Sequence, residues 1–271
     1  MNENLNGKTS SENLAEMLNK VPEVTILFWI VKVMATTVGE TGADFLIFKL
    51  KYGLATTSYL MTILLVAALY IQIVSKKYVP WIYWLAVVMV SVVGTLITDN
   101  LVDNLGVRLE TTTIAFSLAL IATFVTWHMS QKTLSIHTIY TLKRESFYWA
   151  AILFTFALGT AAGDLVSEKW HLGYAISGMI FAALIGIVVI AYYFFKANAV
   201  TSFWIAYVLT RPLGASLGDY LSQSHKHGGL GLGTVHTSIA FLVIIIGSVV
   251  FWSIGRKAIG VTKTNIEIEP V

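Results

Sequence analysis

The chain has 271 residues, 56% of them apolar and 12% charged, with a mean hydropathy of +0.73 and a net charge of +3. A soluble domain of that composition would aggregate, so the chain reads as an integral membrane protein, and its weak charge balance offers nucleic acid no basic patch. It has no cysteine, which excludes disulfides, iron–sulfur clusters and thiolate metal sites and leaves only oxygen or imidazole to hold a metal.

Residues 1–22 are polar, with an amphipathic pattern at Leu14, Met17, Leu18 and Val21 behind the capping candidates Ser10 and Ser11, and read as a cytoplasmic tail with a surface helix. The first apolar run lacks a basic n-region and a cleavage site, so it is expected to remain as a span. Runs able to cross a bilayer, which takes about 20 residues, follow at 24–46, 54–75, 80–102, 109–130, 146–167, 172–195, 199–221 and 234–254, before a second tail at 258–271. An all-α membrane protein of eight spans follows, with one half over 23–140 and another over 141–257. Lys8, Lys20, Lys76, Lys77, Lys132, Lys143, Arg144, Lys196, Arg256, Lys257 and Lys263 fall on the side of both termini. Only Lys49, Lys51, Arg108, Lys169 and Lys226 oppose them, so the positive-inside rule places both termini in the cytoplasm.

One spacing recurs four times. Trp29, Trp84, Trp149 and Trp204 are each followed after nine residues by a glycine (Gly39, Gly94, Gly159, Gly214) and after four more by an aspartate (Asp44, Asp99, Asp164, Asp219). A shift of 120 residues also lays Phe28-Trp29 on Tyr148-Trp149, Gly53 on Gly173 and Trp84-Leu85-Ala86 on Trp204-Ile205-Ala206. The halves are thus a tandem duplication, each made of two helix hairpins. Two crossings per hairpin turn all four copies the same way, giving four parallel repeats around an axis along the membrane normal.

On the motifs Phe28-Trp29 with Val38-Gly39-Glu40-Thr41, Trp81-Ile82-Tyr83-Trp84 with Val93-Gly94-Thr95, Leu158-Gly159-Thr160 through Asp164, and Thr210-Arg211-Pro212-Leu213-Gly214 through Asp219, the chain resembles a bacterial membrane-protein family of four tandem two-helix repeats of unknown function. The resemblance covers about 24–255. It implies the fold, the repeat count and a bacterial inner membrane, and carries no activity.

Chemistry must come from the residues. At 1.5 Å per residue each aspartate lies about 22 Å beyond its tryptophan and each glycine about 15 Å beyond it. With the tryptophans as an inner aromatic belt, the glycines fall near the midplane and the aspartates toward the outer third; taken singly, the glycines suit close helix packing. Steps of four back from each aspartate trace one polar stripe: Lys32, Thr36, Glu40, Asp44; Ser91, Thr95, Asp99, Asp103; Thr160, Asp164, Glu168; and Tyr207, Arg211, Ala215, Asp219. Such a stripe is too costly against lipid and is expected to line an interior pathway. Five acids (Glu40, Asp44, Asp99, Asp164, Asp219) against Lys32 and Arg211 leave three negative charges for protons or a bound cation to balance. All-oxygen ligation, with Thr95 and Thr160 matching Glu40, suits a hard divalent cation such as manganese, magnesium or calcium.

Lys32 reads either as an internal counter-ion or as a side chain snorkelling to the interface. Arg211 adjoins Pro212, which is expected to kink or break its helix. His225 and His227 belong to a glycine-rich outer loop, and Asn100, Asp103 and Asn104 extend the second stripe outward. No nucleophile with an adjacent base, phosphate loop or metalloprotease spacing occurs, so no enzyme is expected. The reading is a transporter of a cation, or of protons, with the aspartates and Glu40 as ligands or carriers. The alternatives are a proton-coupled carrier of an organic solute, with a midplane apolar pocket, and a membrane scaffold whose aspartates cap helix ends in solvent.

Overall fold

The computed structural model describes residues 19–266, with side chains to 254. All its elements are helical: α1 (Ile26–Asp44), α2 (Leu54–Val74), α3 (Pro80–Asp99), α4 (Leu109–Gln131), α5 (Leu142–Asp164), α6 (Gly173–Phe194), α7 (Ala199–Ser222) and α8 (Thr234–Ile266). Seven are long and apolar enough to cross a membrane; α7, which carries Arg211 and Asp219, is the less apolar eighth. The amphipathic pattern at Leu14, Met17 and Leu18 lies outside the described residues, and α8 continues as helix to Ile266, into the stretch expected to be a tail.

Local chemistry starts the odd-numbered helices where the apolar runs begin. Thr25 accepts from the Phe28 N–H ahead of α1, Thr141 from Arg144 ahead of α5, and Asn198 from Val200 and Thr201 ahead of α7, while Pro80 opens α3 at a position that has no intrahelical N–H bond to lose. α1, α3 and α5 each pass, directly after their aspartate, into a π-helical turn: Phe45–Lys49, Asn100–Asn104 and Leu165–Lys169. The fourth copy has no such turn. α7 runs on as α-helix to Ser222, and Pro212 sits inside it without breaking it. The duplication is visible in backbone detail: Gly53 and Gly173, 120 apart, take φ of 72° and 75°, and Lys51 and His171 take 55° and 56°, a left-handed turn that lets the chain reverse into α2 and α6.

α1, α3, α5 and α7 form an inner ring in which each touches the next and α7 closes back on α1. The outer helices are not packed as sequence hairpins. α2 packs on α3, α4 on α5 and α6 on α7, each against the inner helix of the following repeat, and α8 completes the circuit on α1. The expected two-helix repeat is therefore a unit of sequence but not of packing, and every repeat braces its neighbour. Outward, the outer helices present apolar side chains at helical spacing, among them Tyr59, Ile63, Val66 and Tyr70 on α2 and Ile114, Leu118, Ile121 and Val125 on α4. Such a coat suits lipid and would be a large exposed apolar patch in water.

The four glycines are where the inner helices come closest. A Cβ on Gly94 would lie 2.5 Å from the Phe156 Cβ. Cβ atoms on Gly39, Gly159 and Gly214 would collide with Ser91, Arg211 and Thr36. The four residues met are themselves equivalent, each three before its own repeat's glycine, so one glycine contact is used four times around the ring. Packing is thus the role the structure gives these glycines.

Candidate functional site

Counting from each tryptophan, equivalent residues of α1, α3, α5 and α7 fall into layers along the ring axis. One residue before it stand Phe28, Tyr83, Tyr148 and Phe203; three after, Lys32, Val87, Ile152 and Tyr207; seven after, Thr36, Ser91, Phe156 and Arg211. Eleven after it come Glu40, Thr95, Thr160 and Ala215, and fifteen after it the four aspartates. Exposure changes in step. Except for the partly buried Phe203, the first three layers are buried, as are Glu40, Thr95, Thr160 and Ala215, whereas Asp44, Asp99 and Asp164 are half-buried and Asp219 is 7% exposed.

The tryptophans do not form the expected aromatic belt. Trp84, Trp149 and Trp204 are buried and Trp29 is half-buried, within a cluster that closes one end of the ring. Tyr83 and Tyr148 share a hydroxyl–hydroxyl bond of 2.6 Å, Trp84 stacks on Trp252 at 5.8 Å, and the Trp204 indole N–H donates to the Leu134 carbonyl at 2.9 Å. Tyr83, Tyr148 and Phe156 were absent from the polar stripe read off the sequence. For the two tyrosines the signal was present nonetheless, since an aromatic residue precedes the tryptophan in every repeat.

Mid-axis, one ion pair gathers all four inner helices. The Arg211 guanidinium donates to Glu40 Oε2 at 2.8 Å, to Thr160 Oγ1 at 2.8 Å, to Thr95 Oγ1 and to the Thr36 carbonyl at 3.5 Å. Thr95 also donates to Glu40 Oε2 at 3.3 Å. The pair is buried, Arg211 at 0% exposure, and such a pair holds only when its remaining donors are matched, as most are here. Lys32 does not snorkel. It is fully buried two turns below Glu40, its Nζ 4.1 Å from the Phe156 ring centroid and 4.2 Å from that of Tyr207.

The carboxylate end differs. Asp44 accepts from Gln223 Nε2 at 3.4 Å, and among the described residues none of the four aspartates has an ion pair. Nor does any group of three or more Asp, Glu or His side chains converge as a metal cage among the described residues. The layer is an array of unpaired carboxylates, three half-buried and Asp219 buried. Asn100 donates to Ser58 of α2 at 2.6 Å and Asn104 donates to Asn100 at 2.8 Å, so these two asparagines of the second stripe's extension face an outer helix. His227 meets Ser224 at 3.2 Å within the loop between α7 and α8.

Beyond this axis, Lys20 donates to Glu145 at 2.6 Å and to the Ile73 carbonyl at 2.8 Å in a buried pair that ties the segment before α1 to α2 and α5. Its backbone N–H meets the Ile139 carbonyl at 3.0 Å. Nothing in the sequence spacing pointed to this strap.

A family model described as Repeat of Unknown Function (DUF347) matches the chain four times, at residues 27–78, 82–133, 147–198 and 202–258. Each match begins beside an inner-helix tryptophan and takes in the following outer helix. Comparison with curated proteins and with solved structures gave no match.

Proposed function

The chain belongs to the DUF347 repeat family, whose description names no activity, and from its axial chemistry we propose that it is a membrane transporter that moves a cation along the axis of the inner ring. The observation that carries this reading is the Glu40–Arg211 pair, buried at mid-axis beneath the aspartate layer. An array of unpaired carboxylates raises the local concentration of cations at one mouth. Arg211 then occupies the carboxylate that an incoming cation needs, so the ion pair acts as the gate: the cation displaces the guanidinium from Glu40, and Thr95 and Thr160 retain it. Hydroxyl and carboxylate oxygens favour hard cations, divalent ones such as manganese, magnesium or calcium among them. In this reading all eight helices cross the inner membrane of a bacterium, both termini face the cytoplasm by the distribution of Lys and Arg, and the aspartates open outward.

The scaffold alternative places the aspartates fully in solvent as helix-end caps; their half-buried and buried positions argue against it, as does the helical turn that continues past three of them. The test is flux in proteoliposomes across manganese, magnesium, calcium, zinc and sodium, comparing wild type with the quadruple Asp44→Asn, Asp99→Asn, Asp164→Asn, Asp219→Asn variant. Loss of at least about tenfold in flux, the effect of removing several carboxylates' pull on a cation, is expected in a variant of unchanged thermal stability. No cation flux in folded wild type would remove the transport reading.

A further inference from the structure

Away from the axis, a cleft runs between the outer helix α2 and the inner helix α5. Both helices rest on α3, and the space between them amounts to about 250 Å3. Leu65, Leu69 and Ile73 of α2 form one wall, Ala150 and Leu153 of α5 the other, and Val90 of α3 the floor. Leu65 to Ile73 is eight residues of helix, about 12 Å, most of the roughly 15 Å that one leaflet contributes to the hydrocarbon core. The cleft has the composition and the length of a groove for an acyl chain.

Its end is basic. Ser146 lines the cleft near the start of α5, and Lys143 stands three residues before it on the same face of the helix. Lys76 and Lys77 follow Ile73 just past the end of α2. The end of α2 and the start of α5 are held side by side, because Lys20 donates both to the Ile73 carbonyl at 2.8 Å and to Glu145 at 2.6 Å. That contact also neutralises the acid of this end, since Glu145 is fully buried and matched by Lys20 and by Gln72 at 3.3 Å. Lys76, Lys77 and Lys143 are exposed, and none of them has an ion pair among the described residues. The duplication supplies a contrast. Positions 120 residues from Lys76, Lys77 and Lys143 are Lys196, Ala197 and Glu23, so at the matching junction of α6 and α1 three positive charges become one of each sign.

We propose that this cleft is a binding site for one phospholipid with an anionic headgroup, its acyl chain lying between α2 and α5 and its phosphate among Lys76, Lys77 and Lys143. The apolar walls accept any acyl chain, so charge selects the occupant: each lysine at the membrane surface adds to the attraction of an anionic headgroup. A chain seated there fills the space that the side chains of α2 and α5 leave open, and its headgroup joins the two helix ends that Lys20 already ties. The site goes beyond the transport reading and needs only that the helices lie in a bilayer.

The test is native mass spectrometry of the full chain in detergent, titrated with phosphatidylglycerol or with phosphatidylethanolamine. Wild type is expected to hold one phosphatidylglycerol at least about tenfold more tightly than phosphatidylethanolamine, the effect of three lysines on an anionic headgroup. The triple variant Lys76→Gln, Lys77→Gln, Lys143→Gln is expected to lose that preference. Ala150→Phe, which fills the cleft and leaves the lysines in place, is expected to lose the tightly held lipid, and Lys196→Gln at the matching junction is expected to change neither. Thermal unfolding establishes that each variant is folded, and phosphatidylglycerol should raise the midpoint of wild type but not of Ala150→Phe. Equal affinity for the two lipids in wild type, or a tightly held phosphatidylglycerol in folded Ala150→Phe, overturns the proposal. Should Ala150→Phe not fold, the triple lysine variant decides, because its substitutions are all on the surface and a retained preference overturns the proposal equally. None of these readouts involves flux, so the lipid site and the transport reading stand or fall separately.

Discussion

At one end of the inner ring Asp44, Asp99 and Asp164 are half-buried and without ion pairs; at the other, sixteen residues back along each helix, Phe28, Tyr83 and Tyr148 are fully buried in an aromatic cluster. Both ends are nearly four-fold in chemistry, with four aspartates against two phenylalanines and two tyrosines. The layers between them are not. Glu40 comes from repeat one, Arg211 from repeat four, Lys32 from repeat one, and the matching positions elsewhere are Thr, Ser, Ala, Val, Ile, Phe or Tyr. Duplication has kept the aspartate end and the aromatic end and let the middle diverge. A four-fold layer can attract a cation or exclude water, but a single ion pair at mid-axis, with one acid and one base, needs the four repeats to differ.

The sharpest way to break this contrast is to remove the mid-axis pair. Arg211→Met leaves Glu40 buried without its partner, and a cost of about 3–5 kcal/mol is expected. The double variant Arg211→Met, Glu40→Met is expected to recover most of that, because the apolar pair leaves no uncompensated charge. Thermal unfolding in detergent, read as a double-mutant cycle, measures both; equal losses in the single and double variants would mean that the pair is not what holds the middle together. Next in size is Gly94→Ala. Its methyl group would lie 2.5 Å from the Phe156 Cβ at the α3–α5 contact, and about 1–3 kcal/mol of overpacking is expected. Gly186→Ala on the outer helix α6, where a Cβ meets nothing within 4 Å, is the control and should be neutral or slightly stabilising.

Much of this was present in the sequence, and the shortfalls have physical causes. The helices were found to within a few residues because apolar length is a local property, except that α8 runs on as helix to Ile266. The polar stripe through Lys32, Thr36, Glu40 and Asp44 was found because four-residue steps fix a helix face whatever it packs against. Which helix that face meets is not local. The hairpin expectation failed because a left-handed turn at Lys51 and a positive-φ Gly53 swing α2 onto α3, and no periodicity encodes a partner. Trp84 and Trp149 were misplaced in a lipid belt because a tryptophan near a span end has the same sequence signature whether it points outward or inward. Pro212 was expected to disturb α7, yet proline's missing N–H costs one bond and the helix continues around it, packed against Gly159.

The smallest expected effect probes the sealed end. Tyr83→Phe removes one half of the 2.6 Å hydroxyl pair and leaves the Tyr148 hydroxyl buried without that partner, for an expected loss of about 1–2 kcal/mol. Tyr83→Phe combined with Tyr148→Phe removes both polar atoms of the pair and is expected to be no less stable than either single variant, since neither hydroxyl is left without the other. The contrast between the ends makes a further demand on that double variant. If the aromatic end is only a seal, cation flux driven by the cation's own gradient and flux driven by a pH gradient should change by the same factor. If its hydroxyls pass protons, only the pH-driven flux should fall, and the two measurements on one folded protein separate packing from proton conduction.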